Sequence, residues 1–255
     1  MIETAIKVTA VIPALNEEKN IAGSVARALS GFNRYNLEGT IVVVNDGSTD
    51  STAELAAELA KSDPRITLVS HETPRGIGGA FWTGTDNAQG DFVVMIPGDN
   101  ESDPWEIFRY SHLLHHVDIV NPFVFNRGMR PWYRELLSRA YTLLINTTFG
   151  LNLHYTNGTV LYRKSLLQTL RHRDNSFFYQ TDILIRLIRR QYLFAEVPYR
   201  LDLRRNGTTK ALSLKSLGCV AGGYLRLLRD LYFPAEPEPE FTRDSQTYAR
   251  RQFKT

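Results

Sequence analysis

The chain has 255 residues, 43% of them hydrophobic, and a formal net charge of +3 at neutral pH. This length and apolar content suffice for one large core, and so mild a charge argues against a nucleic-acid-binding protein. The single cysteine, Cys219, excludes an internal disulfide and a cysteine metal cluster. The apolar stretches are shorter than the ~20 residues that cross a bilayer, and no signal peptide is recognisable, so we expect a cytoplasmic protein that is soluble or peripheral to the membrane.

Two similar units open the chain, each an apolar run followed by a polar turn and a helix. In the first, residues 8–12 predict a buried strand and Asn16 is expected to cap the helix. In the second, residues 41–44 predict the strand, and Ser51 with Glu54 predicts a capping box. Two such units in series predict a parallel α/β sheet with both polar turns at the carboxyl edge of its strands.

These two polar turns predict a binding crevice, because open α/β sheets bind ligands at the carboxyl ends of adjacent strands. Pro13, Asn16, Glu17, Asp46 and Gly47 are expected around it. Neither strand is followed by a glycine-rich phosphate loop. The sequence therefore predicts a nucleotide pocket that does not depend on such a loop.

A third unit brings acidic residues to the same edge. Residues 66–69 predict a strand, the glycines of RGIGGA a flexible loop, and residues 80–89 a helix. The next predicted strand, 91–96, ends at a turn containing Asp99, Glu101 and Asp103. Carboxylates at a strand end beside a nucleotide crevice can hold a divalent cation, and a plain polar turn is the alternative.

Five stretches resemble family 2 glycosyltransferases of the GT-A fold, most closely the branch that transfers mannose or glucose to polyprenyl (dolichol) phosphate. They are VIPALNE, VVVNDGSTDST, WYRELLSRAYTLLINTTFGL, FFYQTDILIRLIRRQYLFAEVPYRL and RRNGTTK. The similarity runs from residue 8 to about residue 217. It implies a mixed, mainly parallel sheet flanked by helices, which binds a UDP- or GDP-linked sugar.

The resemblance also assigns a nucleotide site and a metal site. Asp46 matches the acid that touches the base, and Asp99 with Glu101 matches the family's ligands for Mg²⁺ or Mn²⁺. Pro97 replaces the first Asp of the metal motif. The nucleotide-binding positions implied are Pro13, Ala14, Leu15, Glu17, Val44, Asp46, Gly98 and Asp99.

Four basic residues are candidates for phosphate binding. Arg204 and Lys210 lie in the stretch that resembles the family's diphosphate-gripping motif, and two cations there can face one diphosphate. Arg127 and Arg139 occupy positions similar to the family's phosphate-facing arginines. The alternative for each is a solvated surface charge.

Asp182 is the catalytic candidate on the acceptor side, in the first turn of a predicted helix. If the acceptor is a hydroxyl, Asp182 is the expected general base. If the acceptor is a lipid phosphate, no strong base is required and Asp182 would orient the site. A helix-start acid that stabilises the helix dipole is the structural alternative.

Two segments, 132–153 and 212–233, predict amphipathic helices with basic polar faces, able to lie in a bilayer interface. Packing against the core or against a second copy in a homo-oligomer is the alternative for each. We divide the chain into a GT-A domain (1–210), an amphipathic, membrane-interface helix (211–233) and a Pro/Glu-rich tail (234–255) that we expect to be flexible.

The function predicted is inverting transfer of a sugar from a nucleotide-sugar to a polyprenyl phosphate at the cytoplasmic membrane face. One alternative is a glycosyltransferase for a soluble small-molecule or glycan hydroxyl. Another is an inactive nucleotide-sugar-binding protein, suggested by Pro97. The presence of Asp99, Glu101 and Asp182 together argues against the inactive protein.

Overall fold

The computed structural model describes residues 5–126, 132–200, 214–235, 237 and 239–252. The strands are β1 (Lys7–Ala14), β2 (Glu38–Asn45), β3 (Ile66–Ser70), β4 (Phe92–Met95), β5 (Ile119–Val124), β6 (Leu161–Arg163) and β7 (Phe194–Tyr199). The α-helices are α1 (Ile21–Arg34), α2 (Thr52–Ser62), α3 (Gly76–Asp86), α4 (Trp105–Phe108), α5 (Trp132–Phe149), α6 (Lys164–Gln168), α7 (Tyr179–Arg189), α8 (Leu214–Tyr232) and α9 (Gln246–Gln252). A 3₁₀ turn, Ser111–His115, lies between α4 and β5.

The strands form one seven-stranded sheet in the order β3-β2-β1-β4-β6-β5-β7. Strands β1 to β4 are parallel, and β7 is parallel to β5. Strand β6 is antiparallel to both of its neighbours, β4 and β5, so those two strands point the same way. The predicted mixed, mainly parallel sheet is confirmed, and the carboxyl ends of β1 to β5 and of β7 lie on one edge.

Both faces of the sheet are covered, which explains the almost continuous apolar runs of its central strands. Successive residues of β1 point to opposite faces, as the period of two requires. Val11 belongs to the apolar cluster that includes Phe81 of α3 and Phe149 of α5. Ile12 belongs to the cluster that includes Phe32 of α1. Helices α3, α5 and α7 therefore cover one face, and α1 covers the other.

The predicted caps of the first two helices are not formed. Asn16 adopts a left-handed conformation with φ 58°, and α1 begins only at Ile21. The Asn16 side chain accepts a hydrogen bond from the backbone N–H of Thr49 instead, so the prediction that it caps α1 is wrong. Helix α2 does begin after Ser51, but the predicted Ser51–Glu54 capping box is not formed. The first N–H of the helix donates to the Asp50 carboxylate instead.

The glycines predicted as a flexible loop form the first turn of α3. Gly78 donates its N–H to the backbone oxygen of Asn175 at 3.1 Å. A Cβ atom on Gly78 would lie 2.4 Å from the Asp174 carbonyl oxygen, so a side chain does not fit there. The prediction of a loop is wrong, because these glycines permit close contact between α3 and residues 174–175.

Part of the predicted flexible tail packs onto the sheet. The backbone N–H groups of Gln246 and Thr247 donate to the buried carboxylate of Asp118 at 2.7 and 3.0 Å. The Asp118 carboxylate also pairs with Arg163 at 3.0 Å. The expectation of flexibility therefore does not hold for residues 239–252, because a buried carboxylate binds the amino end of α9.

Candidate functional site

The loops that follow β1 and β2 hold each other at the carboxyl edge. The backbone N–H of Asn16 donates to the Ser48 hydroxyl at 3.0 Å, and the Asn16 side chain accepts from Thr49 N–H at 2.9 Å. The next N–H, of Glu17, donates to Thr52 Oγ1 at 2.8 Å. These reciprocal bonds form one wall of the predicted crevice.

Asp46 lies where these two loops meet, and its carboxylate is held by three donors. Oδ1 accepts from His71 Nδ1 at 2.7 Å and from Arg75 N–H at 2.8 Å, and Oδ2 accepts from Gly76 N–H at 2.9 Å. The second ring nitrogen of His71 lies 2.9 Å from the Thr83 hydroxyl. With a side chain only 6% exposed, Asp46 retains one acceptor position on Oδ2 for a further donor.

Three predicted nucleotide-binding residues form the strand ends beneath this crevice. Ala14 accepts a hydrogen bond from the N–H of Asp46 at 2.8 Å. Pro13 pairs with Val44 in the register of β1 and β2. Ala14 and Val44 are buried, so their contribution to a ligand site would be shape, whereas Leu15 is half-buried beside them.

The loop after β4 joins the same edge. Gly98 donates its N–H to the Pro13 carbonyl at 3.2 Å, and a Cβ on Gly98 would lie 2.7 Å from that oxygen. This close approach requires glycine and places Asp99 beside the β1 loop. Asp99 Oδ1 then accepts the N–H of Glu101 at 3.0 Å in a tight turn. The structure therefore brings the predicted metal ligands to the same edge as Asp46.

The donor set of this turn fits a hard divalent cation. Asp99 and Glu101 are half-buried and offer oxygen ligands. Over the part of the chain that the structure describes, no cluster of three His, Cys, Asp or Glu side chains could hold a metal. Mg²⁺ commonly binds through one or two carboxylates and completes its shell with water and substrate phosphates. Pro97 supplies no side-chain ligand, and its carbonyl accepts the Ser24 hydroxyl at 3.3 Å.

Asp182 lies in the first turn of α7, as predicted, but its carboxylate lies between helices α7 and α8. Both carboxylate oxygens are 3.0 Å from Nε of Arg186, whose Nη2 lies 2.9 Å from Asp230 of α8. The Asp182 side chain is 2% exposed. Burial raises the pKa of its carboxyl, and the bonds to Arg186 act in the opposite direction. The preceding residue, Thr181, bonds instead to the Asn157 side chain at 2.9 Å, in the loop before β6.

A cavity of about 210 Å³ lies beside the carboxyl end of β5, between α5 and the loop before β6. Arg139 lines it and forms an ion pair with Glu135 at 2.5 Å. His154 lines it as well, with Nδ1 2.7 Å from Glu196 of β7. His71, His154 and Glu196 were not predicted from the sequence, because their side-chain contacts join residues far apart in the chain.

The remaining predicted phosphate ligands, Arg127, Arg204 and Lys210, lie outside the described residues. The predicted amphipathic segments form α5 and α8. Among the described helices, none is long and apolar enough to span a membrane. Several large apolar side chains on these two helices are exposed: Trp132, Tyr133, Leu136, Leu137, Leu143, Leu144, Leu217, Leu225 and Tyr232.

Known proteins are similar to this chain in sequence and in fold. Residues 9–171 match the model of glycosyl transferase family 2. Polyprenol monophosphomannose synthase of Mycolicibacterium smegmatis is 30% identical over 216 residues, 78% of this chain and 79% of that protein. Undecaprenyl-phosphate 4-deoxy-4-formamido-L-arabinose transferase of Pectobacterium carotovorum is 29% identical over 176 residues, 68% of this chain. The chain spans only about half of that second relative, since the match covers 53% of its length.

A similar solved structure is glucosyl-3-phosphoglycerate synthase from Mycobacterium tuberculosis in complex with Mg²⁺ and uridine-diphosphate. It has a TM-score of 0.66 and 25% identity, covering 88% of this chain and 79% of that one. Another structure of that enzyme, with Mn²⁺, uridine-diphosphate and phosphoglyceric acid, has a TM-score of 0.67 at 23% identity, covering 88% and 78%, and supports the fold alone. The fold is the GT-A fold, and because the family model matches more than half of the sequence, the chain belongs to glycosyl transferase family 2.

Proposed function

We propose that the protein is an inverting glycosyltransferase that moves a sugar from a UDP- or GDP-linked donor to a polyprenyl phosphate. The observation that carries the proposal is the crevice formed by the loops after β1, β2 and β4, the position where open α/β sheets bind nucleotides. The acceptor class is supported by two relatives, whose names specify undecaprenyl phosphate and polyprenol monophosphomannose.

The donor nucleoside would bind against Pro13, Leu15 and Glu17. Glu17 Oε2 already accepts from Asn20, which leaves Oε1 for ribose hydroxyls. Asp46 would accept a ring N–H of the base at its remaining Oδ2 position. Uracil and guanine both present such an N–H, so the geometry favours a UDP- or GDP-sugar. The backbone around Ala14, Val44 and Gly98 would shape the pocket.

Asp99 and Glu101 would hold Mg²⁺ or Mn²⁺, which when bound neutralises the charge of the departing diphosphate. We propose that Arg204 and Lys210 add positive charge at the diphosphate, and that Arg127 and Arg139 face phosphate groups. Charge-assisted bonds from such cations are about twice as strong as neutral ones.

The acceptor phosphate attacks the anomeric carbon from the face opposite the leaving group, which inverts the configuration. A phosphate monoester is already an anion near neutral pH, so its attack does not require a strong base. This agrees with the burial of Asp182 between α7 and α8. We propose that Asp182 positions the first turn of α7, whose Thr181 and Gln180 bond to the loop before β6.

We propose a peripheral location at the cytoplasmic membrane face. Exposed apolar side chains on α5 and α8, with Trp132 77% exposed, support an interfacial position. A second copy of the chain that covers these faces would instead make the protein a homo-oligomer. Flotation with liposomes distinguishes the two, since a dimer interface would not bring the protein to the vesicles.

The activity test is sugar transfer from UDP- and GDP-sugars to a short-chain polyprenyl phosphate with Mn²⁺ or Mg²⁺. Asp99→Ala should lower turnover by orders of magnitude. Asp91→Ala is the control, because Asp91 is an exposed carboxylate at the opposite end of β4 from the Asp99 loop. Full activity in excess chelator would rule out the metal role. Transfer only to soluble hydroxyl acceptors would overturn the lipid acceptor, and donor binding without turnover would indicate an inactive binding protein.

A further inference from the structure

The cavity beside β5 lies at the carboxyl edge, on the side of the sheet formed by β5 and β7. Val124, the last residue of β5, contributes to its wall. Strand β5 is separated from β4 by β6 alone, which corresponds to about 10 Å at ~4.8 Å per strand spacing. The cavity is therefore near the metal-binding loop after β4 but outside the nucleotide crevice. Its volume of about 210 Å³ exceeds the ~15 Å³ that one water requires.

A histidine in this cavity is fixed by a mostly buried carboxylate. Glu196 Oε2 lies 2.7 Å from His154 Nδ1, and Oε1 accepts from His154 N–H at 3.0 Å and from Asn121 Nδ2 at 3.2 Å. The His154 ring also stacks on Phe123, with 4.8 Å between ring centroids. A carboxylate beside Nδ1 keeps the proton on that nitrogen. No described residue bonds to Nε2, and this nitrogen can donate to an anion in the imidazolium form, which carries a proton on both ring nitrogens.

The other polar groups of the cavity include hydrogen-bond donors. Arg139 contributes a guanidinium, and Ser138 and Thr142 contribute hydroxyls. Glu135 is the opposing charge, and it pairs with Arg139. An incoming anion would therefore compete with Glu135 for the guanidinium while gaining a hydrogen bond from Nε2–H of the His154 imidazolium.

We propose that this cavity binds the phosphate monoester of the acceptor, with His154 in contact with the phosphate and Glu196 as its positioning residue. The inference rests on the proposed function, and it goes further by naming the subsite and its ligand chemistry. The imidazolium Nε2–H and the guanidinium N–H groups both face this cavity, at the edge that also carries the proposed metal-binding loop. A phosphate in the cavity would lie beside the donor sugar rather than on the nucleotide.

The first test measures acceptor KM with a short-chain polyprenyl phosphate and, in parallel, the affinity for glycerol phosphate, a soluble monoester. His154→Ala should raise the acceptor KM and weaken glycerol phosphate binding by roughly ten-fold or more, the loss expected for a hydrogen bond to a charged group. The KM for the nucleotide-sugar should not change. His112→Ala is the control, because His112 is an exposed histidine before β5, at the opposite edge of the sheet.

Two further variants test the roles assigned to the carboxylates. Glu196→Gln should raise the acceptor KM, as His154→Ala does. An unchanged melting temperature would show that β7 remains folded. Glu135→Gln should lower the acceptor KM, because it removes the charge that competes with phosphate for Arg139. A cavity for an uncharged ligand would show no such gain.

The outcomes separate this inference from the proposed function. If polyprenyl phosphate is used but His154→Ala leaves its KM unchanged, the phosphate subsite is overturned and the function stands. If polyprenyl phosphate is not used, but glycerol phosphate binds in a His154-dependent way, the lipid acceptor is overturned and the subsite stands. If neither monoester binds, both are overturned.

Discussion

The Asp46 carboxylate has one acceptor position left because His71, Arg75 and Gly76 occupy the others. In the proposed function, the orientation of Asp46 toward the base therefore depends on His71. We predict that His71→Ala weakens nucleoside-diphosphate affinity by about ten-fold, the value of a charged hydrogen bond. His71→Asn should retain most of the affinity, because its amide N–H can replace Nδ1–H.

Isothermal calorimetry with UDP and GDP measures this effect. Thr83→Val is the control on the far side of the imidazole, since it removes the Nε2 contact and leaves Asp46 bonded. Equal affinities in wild type and His71→Ala would contradict the positioning of Asp46 by His71.

The raised pKa of the Asp182 carboxyl predicts how the free energy of unfolding depends on pH. The folded state holds this proton more tightly than the unfolded chain does. The associated stabilisation is fully present below the ordinary carboxyl pKa of ~3.9 and is lost as pH rises through the folded pKa. Asp182→Asn should remove this pH dependence. At neutral pH the same variant should lower the free energy of unfolding by about 3 kcal/mol, because Arg186 loses a buried charged partner.

Denaturant unfolding from pH 4 to 8 measures the stability, and turnover of the folded variant measures the role in catalysis. Asp230→Asn, in the same network on α8, is the control. We expect only modest activity losses in both. A thousand-fold loss in Asp182→Asn alone, without loss of stability, would make Asp182 the general base.

Among the elements, the first turn of α3 makes the clearest prediction. Gly78→Ala should lower the free energy of unfolding by about 1–3 kcal/mol, because the new Cβ would collide with the Asp174 carbonyl oxygen. Gly218→Ala on the exposed face of α8 is the control, since a Cβ there meets nothing within 4 Å. It should stabilise the helix by about 0.5–1 kcal/mol. Thermal unfolding compares the two, and equal shifts would contradict close packing at α3.

The elements also show what sequence patterns could predict. Continuous apolar runs predicted β1 to β4, because strands that are buried on both faces of a sheet are apolar along their length. Amphipathic spacing predicted α5 and α8. The patterns failed at Asn16, whose partner Thr49 lies in another loop. They placed Asp182 in the first turn of a helix, but helix position does not reveal that Arg186 and α8 cover its carboxylate. Loop-to-loop and helix-to-helix contacts depend on the completed fold.

For the whole molecule, Asp118 links the sheet to Gln246 and Thr247. The Thr247 hydroxyl donates to Asp118 at 2.6 Å and accepts the Leu193 N–H at 2.8 Å. Thr247→Val should cost about 1–3 kcal/mol, because both buried groups lose a partner. Thr247→Ser keeps the hydroxyl and should cost much less. Denaturant midpoints measure the difference, and equal midpoints for wild type and Thr247→Val would show that the hydroxyl contributes nothing to stability.

Strand β6 also has a consequence for how the molecule opens. Within the described chain, it is the strand that joins β3, β2, β1 and β4 to β5 and β7, with three paired residues on the β4 side and two on the β5 side. By contrast, β1 and β2 pair along eight residues. Sub-global opening follows the weakest boundaries between cooperative units. Amide hydrogen exchange should therefore divide the sheet into two units that meet at residues 161–163.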